Sequence, residues 1–97
     1  MGALALKPLD WESKPHVPPY VRLQFDPVRQ KHCIIGPDGV LWPDALELAI
    51  FRQCNGRQRV ADITVLLAQQ APVSGQDFEL HVYRTIQAWV SQRLLRA

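Results

Sequence analysis

A chain of 97 residues has room for one domain. Its apolar share of 47% builds a small core, and 11 Lys and Arg against 9 acids leave a net charge of +2. That bias is too weak for a surface devoted to nucleic-acid phosphates. No run approaches the roughly 18 apolar residues of a membrane span, and the start MGALALK lacks the basic and long apolar regions of a secretion signal. Cys33 and Cys54 are the only cysteines, and both read as buried thiols of a cytoplasmic protein rather than as a disulfide.

Residues 1–19 contain Pro8, Pro15, Pro18 and Pro19. Proline fixes φ and lacks the amide donor, so this stretch is expected to be an extended arm, neither helix nor inner strand. Trp11 is expected to dock on the arm's own domain; exchange onto another subunit or partner is the alternative. The remainder, residues 20–97, reads as one domain. In YVRLQFD, the residues Val21, Leu23 and Phe25 alternate with Arg22 and Gln24, the period of a half-buried strand. A second, β-branched run, KHCII, follows the turn DPVRQ. The stretch GPDG supplies tight-turn chemistry, and VLW makes a short third strand that Pro43 stops. Such a meander is stable only when packed on helices.

The first helix opens at Asp44, with Glu47 three places on in a capping-box pattern. Leu46, Ala49, Ile50 and Cys54 share its inner face, and Asn55-Gly56 closes it. The second helix covers about residues 60–70 and buries Val60, Ile63, Leu66 and Leu67, with APVSG breaking it. The third is expected to start at Ser74 as N-cap, with Val73 stapled to Phe78, and to run to about Leu94. At 100° per residue, Phe78, Val82, Ile86 and Trp89 form its core stripe, while Leu80, Tyr83, Val90 and Leu94 continue the apolar surface around the flank. Another subunit, the arm or a ligand is expected to cover that second flank.

The order of three strands and three helices, with a sharp corner at Gly56, defines an α+β fold of winged helix-turn-helix type. No catalytic constellation accompanies it. His16, His32 and His81 lie far apart, the cysteines have no metal-ligand spacing, and there is no phosphate-binding glycine loop. We therefore expect no enzyme activity, no metal and no cofactor. As a DNA reader the fold would place a helix in the major groove: the third would present Arg84, Gln87, Ser91 and Gln92, with Arg93 and Arg96 at its end, whereas ADITVLLAQQ of the second offers no cation. As a peptide binder it would let an extended guest add to the edge strand. The expected peptide site is Val40, Leu41 and Trp42 on the strand, with Leu80, Tyr83, Arg84, Gln87, Val90 and Leu94 as the wall. Homodimerisation through the same surface competes with that reading.

The segments VRLQFD, PDGVLWPDA, AIFRQCNG and RVADI, at their spacings in this chain, resemble the PqqD family of pyrroloquinoline quinone biosynthesis and, more broadly, the RiPP recognition element. The resemblance covers about residues 15–96. It implies a peptide chaperone without chemistry of its own, which holds a ribosomal precursor peptide of the PqqA kind and presents it to a radical SAM enzyme of the PqqE kind. It also implies that the guest pairs with the third strand, at Val40, Leu41 and Trp42, and lies against the third helix. The chain departs from the family pattern in three places. Pro19-Tyr20 stands where an Arg-Gly pair is common, Asn55 replaces Asp, and Arg59 replaces a helix-capping Ser or Thr. Service to another RiPP pathway is the alternative implied by these departures.

Overall fold

Three antiparallel strands come first in the computed structural model, which describes residues 7–70 and 76–97. They are β1 (Arg22–Asp26), β2 (Lys31–Gly36) and β3 (Gly39–Leu41), followed by α1 (Ala45–Gln53), α2 (Val60–Gln70) and α3 (Gln76–Ser91). The sheet order is β1-β2-β3, so β2 is central and β3 is a three-residue edge strand. Register aligns Leu23 with Ile34 and Ile34 with Leu41 in one row, and Arg22 with Ile35 and Ile35 with Val40 in the next. Residues directly opposite one another share a face. The first row therefore joins the core, with Ile34 fully buried, and the second faces away from it. Phe25 shares the inner face but lies at its rim, 45% exposed, edge-on to His32.

Ile50 and Phe51 of α1, Val60, Ile63 and Leu67 of α2, and Val82, Ile86 and Trp89 of α3 close over that face. Helix α1 begins as its sequence predicts. The Asp44 carboxylate accepts from Glu47 N at 2.8 Å, and the Glu47 carboxylate accepts from Asp44 N at 2.9 Å. The helix ends at Gln53. Gly56 has φ 78°, and its Cα approaches so closely that a Cβ there would lie 3.3 Å from the His16 Cβ. Glycine meets both demands at this corner.

Helix α3 stops three residues earlier than its apolar pattern predicts. Arg93 takes a left-handed φ of 63°, and the amides of Leu94 and Leu95 both turn back to the Trp89 carbonyl. Such a cap reverses the chain. Leu94 and Leu95 consequently leave the helix flank and enter the core. The expected Ser74 cap, the Val73 staple and the APVSG break lie outside the described residues. No helix among those described is long and apolar enough to cross a membrane.

Residues 7–19 are packed along the helices. A turn at Asp10–Ser13 interrupts the extended course, with the Asp10 carboxylate accepting from Glu12 N at 2.8 Å. Leu9, Pro15 and Pro18 are buried. His16 exchanges two backbone hydrogen bonds with Arg96, at 2.8 and 2.9 Å, which ties the arm to the C-terminal segment.

Candidate functional site

Two clefts flank the C-terminal half of α3 and the segment that follows it. The smaller, about 210 Å³, is lined by Asp38, Gly39, Val40 and Leu41 from the β3 hairpin and by Gln92 and Leu94 from beyond α3. It lies along the sheet edge. Pro37 and Asp38 are the only residues between Gly36 and Gly39, which are paired. In a hairpin with a two-residue loop, the flanking pair is the hydrogen-bonded one. Alternation along the ladder then turns the N–H and C=O of Leu41 toward β2 and those of Val40 toward the open edge. Leu94 forms part of the floor. A side chain on Gly36 would collide with Leu94 Cδ2, so the bare glycine is what lets Leu94 seat there.

The larger cleft, about 590 Å³, lies on the other side, between α3 and the arm, and includes Lys7, Pro8, Leu9, Gln87 and Val90. It has no open strand edge. The wall here is already engaged: Tyr83 Oη accepts from Leu9 N and donates to Leu9 O, both at 2.8 Å, and Trp11 stacks on the Tyr83 ring at 4.5 Å. Gln87 Nε2 donates to Lys7 O at 2.8 Å. Trp11 thus docks on its own domain, and the arm covers Tyr83 of the second apolar flank.

The structure therefore divides the residues expected at the site. Val40, Leu41 and Leu94 meet around one cleft, and Trp42 follows directly on β3. Tyr83, Gln87 and Val90 meet the arm instead. Leu80, 39% exposed, and Arg84 remain on the outer surface of α3. Sequence reading missed Asp38, Gly39 and Gln92. The first two were absorbed by their turn chemistry, and Gln92 comes into place only because the helix ends early.

The corner before α2 is organised by the same arm. Arg59 cannot accept a capping bond, and the orphan amides of α2 go elsewhere: Val60 N donates to Ser13 O at 2.9 Å and Ala61 N to Trp11 O at 3.0 Å. Backbone carbonyls of the arm replace the missing cap. Gly56 N likewise donates to Pro15 O. Arg59 itself forms ion pairs with Asp62 at 2.8 Å and Glu12 at 2.7 Å. Its hydrogen bonds, to Asp62 first, raise its own pKa and hold the Asp62 carboxyl below the usual range.

Cys54 is buried in the core. Burial pushes its thiol up to about 12, and Sγ donates to Ile50 O at 3.3 Å. Among the described residues, no three His, Cys, Asp or Glu side chains gather as metal ligands.

A three-stranded antiparallel sheet followed by three helices is an architecture that this chain shares with a solved RiPP recognition element. It matches the solution NMR structure of the PqqD truncation of Methylobacterium extorquens PqqCD, described as a functional and stand-alone recognition element. The TM-score is 0.67 at 28% identity, over 86% of this chain and 88% of that one. A PqqA binding protein of Rhodopseudomonas palustris (strain TIE-1) is 41% identical over 56 residues. That stretch is 58% of this chain and 55% of the relative, so the match spans about half of the relative's length. A PqqA binding protein of Xanthomonas oryzae pv. oryzae (strain KACC10331 / KXO85) is 28% identical over 88% of this chain and 92% of its own. No family model matches the chain. In fold and in sequence the chain is thus similar to PqqD proteins.

Proposed function

We propose that the chain is a recognition module without catalytic activity. In this reading it captures a ribosomal precursor peptide of the PqqA kind in the cytoplasm and presents it to a radical SAM enzyme of the PqqE kind. The observation that carries the reading is the open edge of β3 beside its own cleft. A guest in extended conformation adds as a fourth strand, exchanging backbone hydrogen bonds with Val40. One apolar guest side chain enters the cleft over Leu41 and Leu94, and Asp38 and Gln92 supply polar contacts at its rim. Backbone pairing sets register, and the cleft sets which residue is accepted.

The relatives named as PqqA binding proteins support the identity of the guest. The relative that occurs as part of a PqqCD protein supports association with pathway enzymes. The engagement of Arg59 with Asp62 and Glu12, together with an α2 that carries no cation, weighs against a DNA-reading role.

Titration calorimetry with a PqqA-like peptide tests the reading. Val40→Pro removes the amide that points to the open edge and leaves the β2 ladder intact. We expect binding by the wild-type chain and its loss in this variant at unchanged melting temperature. Equal affinity in both, with the variant folded, rejects strand addition.

A further inference from the structure

We infer that the open face of the sheet, opposite the helices, is a docking surface for an acidic patch on a second protein, and that this protein is the enzyme receiving the guest. The inference rests on the strand-addition reading above but uses different residues. Helices cover one face of the sheet only. On the other, register places Arg22, Ile35 and Val40 in one row across all three strands, and Asp26 with Lys31 in another. Val40 is 55% exposed. Trp42, next to Cys33 by continuation of the register, is also exposed, and the Arg29 guanidinium lies 5.2 Å from its ring centroid. Val28 protrudes at the β1–β2 turn, 89% exposed.

An apolar centre ringed by cations is the composition of a protein-docking patch. Its unpaired strand charges, Arg22 and Lys31, are both positive. Arg22, Arg29 and Lys31 are exposed, and the one carboxylate within the strand rows, Asp26, is occupied by Arg29 at 2.8 Å. Asp38 lies at the β2–β3 turn, two residues from Val40, where it lines the β3 cleft. The complementary surface is therefore acidic.

The position of this face explains why the partner is the enzyme that takes the peptide. A fourth strand added to β3 continues both faces of the sheet, and alternate guest residues project on the same side as Val40. An enzyme seated on the open face thus meets the module's cations and the guest's outward side chains together. It gains a surface that exists in full only when the peptide is bound.

The test uses the full chain, a PqqE-like radical SAM enzyme and a PqqA-like peptide. Arg22→Glu/Lys31→Glu reverses the charge of the face without touching the β3 edge or its cleft, and Arg22→Gln/Lys31→Gln serves as a milder pair should the first fail to fold. By biolayer interferometry we expect enzyme affinity to fall at least about tenfold in the reversed pair and about threefold in the neutral pair. Wild-type affinity should weaken between about 50 and 300 mM salt, while peptide affinity by calorimetry stays within about twofold. Enzyme affinity unchanged in both pairs, or indifferent to salt, overturns the inference. So does a concentration-dependent dimer of the wild-type chain that the charge reversal abolishes while enzyme affinity is kept, since a second copy is then the occupant. Failure of the wild-type chain to bind peptide would remove the strand-addition reading; salt-sensitive enzyme binding that disappears on charge reversal would still support the docking face.

Discussion

The two clefts beside α3 share that helix or its end as one wall and differ in the other. On the arm side, Tyr83 and Gln87 bond to the chain's own residues 7–11, which form the facing wall of a cleft that stays open. Leu9 offers both of its backbone groups to one phenol, and Trp11 covers the ring. On the β3 side the cleft is smaller, yet the strand beside it has backbone groups with no partner. A surplus of apolar residues on a helix is therefore a poor marker of a binding site, because a proline-rich arm that cannot form secondary structure is free to satisfy it. An unpaired strand edge is the better marker, since backbone hydrogen-bonding capacity remains directional and unspent.

This contrast is broken or sharpened by changing one side at a time. The largest effect belongs to Val40→Pro, for which we expect peptide affinity to fall about thirtyfold, or about 2 kcal/mol, with stability near the wild-type value. Tyr83→Ala should do the reverse. Urea denaturation should reveal a loss of about 3 kcal/mol from the stacked ring and from two stranded backbone groups of Leu9, with peptide affinity kept within about twofold. If peptide affinity falls instead, the arm side is part of the guest's track and the contrast fails. Tyr83→Phe, which deletes only the hydroxyl, should cost about 1.5 kcal/mol by the same measurement.

The smallest effect concerns acid. Arg59 holds the Asp62 carboxyl below its ordinary 3.8, so the folded state releases that proton more readily than the unfolded chain does. The pair's contribution is complete above pH 3.8 and fades as pH drops through the depressed value. Arg59→Met should flatten that part of a stability-against-pH curve. A residual slope from Asp26, which Arg29 holds down in the same way, should persist. Both ion pairs lie at the protein surface, so the change should be slight.

The legible parts of the fold were those in which local chemistry decides alone. Alternation at Val21 and Leu23, the GPDG turn, the Asp44–Glu47 box and the Val82, Ile86 and Trp89 stripe each depend on neighbours within a few positions. All appear where the pattern puts them. For the candidate site, the strand half was legible, because an edge follows from strand order. The helix half was not. The pattern through Leu94 reads as one continuous flank, and the cap at Arg93 that diverts Leu94 to the β3 cleft has no signal there: Arg93 is not a glycine.

Element order, the core stripe and the open edge were thus settled by the sequence itself, since they need only periodicity and turn chemistry. The division of the expected α3 flank between the arm and the β3 cleft was decided by tertiary structure. It depends on where Leu9 and Trp11 land, some seventy positions from Tyr83 in the chain. The same holds for the capping of α2 by the carbonyls of Trp11 and Ser13, which no local rule at Arg59 foretells. Backbone groups have no sequence signature, and only the folded chain brings them within hydrogen-bonding reach.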